Sequence, residues 1–372
     1  MTRWFIPNPA SAAPGVLAAQ VIPHGSGTQQ QSAVLSERMR EFFFPDSQPP
    51  AFFCCTREGL LQMVLEWFSD RSILMIVNGP MSQEWYDIAD DCRAPVAIFD
   101  SAYGTAVDPE AFGIALKKEK YDLLVFADTD VYLGSRLNAA PLCARFRETF
   151  PDGLIAADIS GSIFCGNDSE CAGNADICLC GSEIALGLPP GLGLAILNER
   201  AHTRVLAHNM MNGRYFNYQR RTASRSLSDL QVPPYTLLNA LDEQINIVLT
   251  EGMNARVQRL MEVRNVIWDW INARGFSILA EAEVTALNCT SVQLPTEIPA
   301  ADMADFAARY GVFLMPGIGQ MSKNSIIIYH GNDTRPEDAA ALTKVLDRFL
   351  SDYDTRRRRG PRVQRTREPY EM

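Results

Sequence analysis

The chain has 372 residues, 47% of them hydrophobic and 21% charged, an ordinary globular composition with enough length for two domains. Its net charge of −10 excludes a general nucleic-acid-binding surface, which needs clustered cations. Met1-Thr2-Arg3-Trp4 opens no apolar leader and no apolar run reaches the roughly 18 residues of a membrane span, so a cytoplasmic protein is expected.

Residues 1–20 are rich in proline and alanine and read as an N-terminal arm. Short apolar runs then alternate with helical patterns. Ser72 to Val77, Val96 to Phe99, Tyr121 to Phe126 and Leu154 to Asp158 are continuous, brief and bounded by turn residues, as buried parallel strands are. Helices are expected between them, for example from Glu58 to Phe68 and from Ala140 to Thr149. The alternation defines an α/β class with a mainly parallel sheet. From Tyr235 to Trp270 the helical period runs on at unusual length, with Gly252 the only interior breaker. Strands near 275–279, 290–294 and 325–329 and a helix from Glu337 to Leu350 then describe a smaller C-terminal α+β domain.

The expected domains are therefore an arm (1–20), a large domain (21–245), a small domain (246–352) and a basic tail (353–372). In the tail, Arg356 to Arg359, Arg362, Arg365 and Arg367 stand among Gly360, Pro361 and Pro369. A solvated, disordered segment is expected there, with a dock for an acidic partner as the alternative.

Nine cysteines in such a chain should mostly be thiols. Cys165, Cys171, Cys178 and Cys180 lie close together, but their spacing is no standard zinc or iron–sulfur signature. Core filler is the expectation and a metal site the weaker alternative.

The segment from Asp158 to Ala201 contains Asp158-Ile159-Ser160, Asp176, Gly181-Ser182-Glu183-Ile184-Ala185-Leu186 and Pro189-Pro190-Gly191. In order and spacing it resembles the class V aminotransferases, such as the alanine–glyoxylate and serine–pyruvate enzymes. The resemblance covers roughly residues 20 to 350. It implies a fold-type-I architecture of the kind that binds pyridoxal phosphate (PLP), with a large domain and a smaller C-terminal one. It also implies a dimer through the large domain and a cleft in which Asp158 faces the pyridine nitrogen of the cofactor.

Against that pattern the chemistry departs. The family's Schiff-base lysine falls at Ile184, which has no amine to form an imine or relay a proton. Glu183 is adjacent but points to the other side of an extended segment, where a surface position is expected. Glu183 and Lys323 are the weak catalytic candidates. The family's substrate-carboxylate arginine falls at or beside Ile326, and Ser325 to Gly331 contains none. The stacking aromatic falls near Met81, and the cross-dimer threonine falls on Val232. Thr56, Arg57, Asp158 and Ser182 remain as cofactor-site candidates, with Ile184 on the floor and Arg57 at a helix start suited to an anion.

The implied cofactor is either none, or PLP or pyridoxamine phosphate held non-covalently. Three functions fit: a degenerate homologue binding a small anionic ligand or a partner, an enzyme using the cleft without a lysine, or a pseudo-subunit. A homodimer, or a heterodimer with an aminotransferase-fold partner, is expected, with neither membrane nor nucleic acid involved.

Overall fold

The computed structural model describes residues 2–21, 28–68, 71–166, 173–208, 215–219 and 234–359. Its centre is a seven-stranded sheet. We number its strands β1 (Ala51–Phe53), β2 (Ile73–Val77), β3 (Val96–Asp100), β4 (Leu123–Ala127), β5 (Leu154–Asp158), β6 (Ile177–Gly181) and β7 (Gly193–Leu197). Their spatial order is β1-β7-β6-β5-β4-β2-β3. Pairing is parallel from β6 through β3, and only β7 runs against its neighbours β6 and β1. All four apolar runs singled out in the sequence are strands of this sheet.

The continuous apolar character has a direct cause. Each of β2, β4, β5, β6 and β7 is buried along its whole length. Alternate residues feed two separate cores, as the two-residue period of a strand requires. Leu74, Ile76, Leu124, Phe126, Ile155 and Ala157 face one. Ile73, Met75, Leu123, Val125, Leu154 and Ala156 face the other. The edge strands are part-exposed, β3 most of all, and its Ile98 is 49% accessible.

The expected single long helix is two. Tyr235–Glu251 ends at Gly252, whose φ of 77° no helix can carry, and Met253–Arg274 starts afresh. Glu251 staples the break: it takes Arg259 at 2.5 Å and Arg256 at 3.1 Å, both from the second helix.

A second, antiparallel sheet follows, with strands β8 (Ser277–Ile278), β9 (Cys289–Gln293), β10 (Met315–Pro316) and β11 (Ser325–Tyr329) in the order β8-β9-β11-β10. The helices Met253–Arg274, Ala300–Ala308 and Pro336–Arg359 supply its apolar cover. The N-terminal residues are tied into this part of the molecule. Arg3 and Trp4 pair in parallel with Val312 and Phe313, and Phe5 is buried in the same core. No helix among the described residues is long and apolar enough to cross a membrane.

Candidate active site

The parallel strands end together, because Val77 is in register with Asp100, and Asp158 with Ala127 and Leu179. The loops that leave these carboxyl ends form the usual ligand-binding edge of an open α/β sheet. Asp158 closes β5, Ser182 to Ile184 follow β6, and Met81 and Glu84 lie on the helix Pro80–Asp91 after β2. Arg57 is the first residue of the helix Arg57–Trp67, behind β1.

Arg57 does not face an open cleft. Its side chain is buried at 4% exposure. Nε donates to Asp158 Oδ2 at 2.5 Å, Nη1 donates to Glu84, and Nη2 donates to the Met81 carbonyl at 2.8 Å. All three nitrogens are committed. Burial opposes its charge, but Asp158 and Glu84 outweigh that cost and raise its pKa. Gly181 permits the approach, since a Cβ there would stand 2.6 Å from the Arg57 Cβ. The anion-holding role expected of Arg57 is therefore taken by two carboxylates of the same chain.

Asp158 is fully buried, and its other oxygen accepts from Ser160 N at 3.0 Å, so it also braces the turn after β5. Ser182 is equally buried. Its hydroxyl donates to the Pro189 carbonyl at 2.8 Å and accepts from Leu192 N at 3.2 Å, which makes it a turn brace rather than a ligand donor. Thr56 is exposed at the helix N-cap, with no side-chain cap bond. Lys323 is exposed in the short 3-10 turn before β11, and forms no hydrogen bond or ion pair with the Arg57 cluster.

The surface position expected of Glu183 is corrected. It is 4% exposed, Oε1 accepts from Arg57 N at 2.7 Å, and Oε2 has no hydrogen-bond partner among the described residues. Burial pushes its carboxyl above the usual range, against the opposing Arg57 N–H. Residues 182–186 form a turn rather than an extended segment, so the two-residue alternation does not apply, and the Glu183 carbonyl accepts from Ala10 N at 2.8 Å, where the N-terminal arm crosses. Ile184 is 1% exposed in an apolar cluster with Ala10, Met81, Ala127, Val131, Cys289, Ile327 and Tyr329.

Asp130 was not anticipated. It is buried and accepts from the backbone N–H of Met81, Tyr132 and Leu133, yet burial outweighs these donors and moves its carboxyl up to about 6. Glu84 was missed as well, although its place one turn after Met81 on a helix was a usable signal.

The expected site of the substrate arginine, Ile326, is fully buried in β11. Cys165, Cys178 and Cys180 are buried in the large-domain core, while Cys171 and Val232 lie outside the described residues. Among the described residues no group of three histidines, cysteines or carboxylates is placed to hold a metal ion.

No family model matches the chain. It is 25% identical over 308 residues to an uncharacterized aminotransferase of Methanocaldococcus jannaschii, covering 79% of this chain and 78% of that one. The crystal structure of ureidoglycine–glyoxylate aminotransferase from Bacillus subtilis superposes with a TM-score of 0.87 at 21% identity, covering 95% and 94% of the two chains. The pyridoxamine–pyruvate aminotransferase of Mesorhizobium loti gives 0.86 at 19% identity, covering 94% and 92%. Serine–glyoxylate and alanine–glyoxylate aminotransferases are among the other matches.

The chain has an aminotransferase fold.

These relatives correct the cofactor expectation. No cofactor, or one held without a covalent bond, is not what a set of aminotransferases implies. They point to PLP as the cofactor that belongs to this fold. The side chains as they stand do not fit that group. Arg57 already pairs with Asp158, and residue 184 offers no amine, so this arrangement supports no reaction step through the cofactor.

Proposed function

We propose that this chain is a class V aminotransferase homologue that does not carry out conventional transamination and acts as a binding or partner subunit of that fold. The observation that carries the reading is the buried Arg57–Asp158 ion pair beside Ile184. A transaminase needs an amine that forms an imine and then relays a proton, and isoleucine can do neither. Asp158 needs an unpaired carboxylate to stabilise a protonated ring nitrogen, and here it already pairs with a guanidinium. Strand β11 carries no arginine for a substrate carboxylate. With the lysine and arginine positions placed as the sequence resemblance has them, three requirements go unmet, which favours a changed role over a single lost residue.

The test is turnover by the purified full-length chain supplied with PLP. Alanine or serine serves as donor, and glyoxylate or pyruvate as acceptor. No transamination is expected. Turnover on the order of 1 per second or more would overturn the reading.

A second reading, an enzyme that uses the same cleft without a lysine, is favoured by Glu183. A buried carboxyl with one unpartnered oxygen and a raised pKa is suited to donate or accept a proton.

A further inference from the structure

The helix Met253–Arg274 and the segment 282–288 meet the large domain around a cavity of about 320 Å³. It is lined by Thr129, Arg136, Ser162, Arg264, Thr285 and Asn288 and includes none of the Arg57 cluster. Glu283, exposed, is the one carboxylate on its wall.

The two arginines differ from the three that are buried. Arg57, Arg256 and Arg259 are each tied to carboxylates. Arg136 and Arg264 are half-buried, and neither guanidinium has an ion pair among the described residues. Arg264 Nε is buried with no hydrogen-bond partner among the described residues. Burial alone lowers the Arg264 pKa, with no acid to offset it. Its position is nevertheless fixed: the guanidinium lies 4.7 Å from the centre of the Trp268 ring, and Trp268 Nε1 donates to Thr290 Oγ1 at 3.1 Å. Ser162 adds a buried hydroxyl whose only bond among the described residues is a long one, 3.5 Å, to the Ile159 carbonyl.

A buried N–H left unfilled is costly until an acceptor completes it, and the positive charge of the guanidinium favours an anionic one. Planar forks suit carboxylate and phosphate oxygens. The volume stands at the small end of ligand sites, which limits the occupant to a compact molecule.

We propose that this cavity is a binding site for a small dianion, a phosphate monoester or a short dicarboxylate, held between Arg136 and Arg264 with Ser162 as a further donor. The proposal is independent of whether the chain transaminates.

The experiment is titration calorimetry on the full chain with inorganic phosphate and, separately, with succinate. Sodium chloride at equal ionic strength is the control. Saturable binding of at least one probe is expected, weakened about tenfold or more by Arg136→Gln and by Arg264→Gln. The exposed Arg93→Gln should leave it unchanged. Phosphate alone, succinate alone or both identify the head group, and each outcome supports the site. Arg264→Lys keeps the charge but loses the fork, so it tests the same contact if Arg264→Gln unfolds. No saturable binding of either probe up to about 10 mM would overturn the proposal. So would equal binding by all the variants, or an equal response to chloride.

Discussion

Arg57 and Asp158 form a buried ion pair, and such pairs are asymmetric in their energetics. Removing one partner strands the other charge in the interior, at about 3–5 kcal/mol, while replacing both is often close to neutral. Arg57→Met should therefore destabilise the protein more than Arg57→Met/Asp158→Asn, a difference measurable by urea unfolding. Ile184→Lys alone should restore no transamination, because Arg57 still holds Asp158. It should also cost about 2–4 kcal/mol by placing an amine among Met81, Val131 and Ile327. Asp130 gives a pH signature. Its folded pKa, about 6, lies above the ordinary 3.8, so the folded state binds the proton more tightly and stability falls as pH rises from about 4 to about 6. Relative to wild type, Asp130→Asn should gain about 2–3 kcal/mol over that window, and thermal melts at pH 4, 5, 6 and 7 would show it. That Asp158 closes a strand was legible, because the apolar run before it ends there. The directions of Arg57 and Ser182 were not, since a side chain's partner depends on contacts that arrive from distant parts of the chain.

At the level of elements, the buried strands could be read directly, because a sheet covered on both faces demands unbroken apolar runs. The helix break at Gly252 was concealed by continuous periodicity on both sides of it. What decides the break is tertiary: the Glu251 carboxylate reaches Arg256 and Arg259, and Arg259 also donates to the carbonyls of Asn332 and Thr334. Gly252 has a φ of 77°, and a Cβ added there would meet nothing within 4 Å, so its role is conformational rather than steric. Gly252→Ala should cost about 1–2 kcal/mol, read by denaturant unfolding, while the Arg57 site remains intact.

For the whole molecule, a dimer through the large domain is the expectation carried from the sequence. Ile98 on the edge strand β3, and Tyr103 just beyond it at 43% accessibility, are exposed large hydrophobic residues of that domain. Sedimentation at micromolar concentration should show twice the chain mass of 41.3 kDa, and a species of single-chain mass alone would exclude it. The N-terminal arm has a consequence for how the molecule is made. Arg3 and Trp4 pair with Val312 and Phe313, and Ala10 bonds to the Glu183 carbonyl. At about 5–20 residues per second, Arg3 and Trp4 wait roughly 15–60 s for the strand they join. Until then Arg3 and Trp4 lack the strand they pair with, and Phe5 has no core to enter.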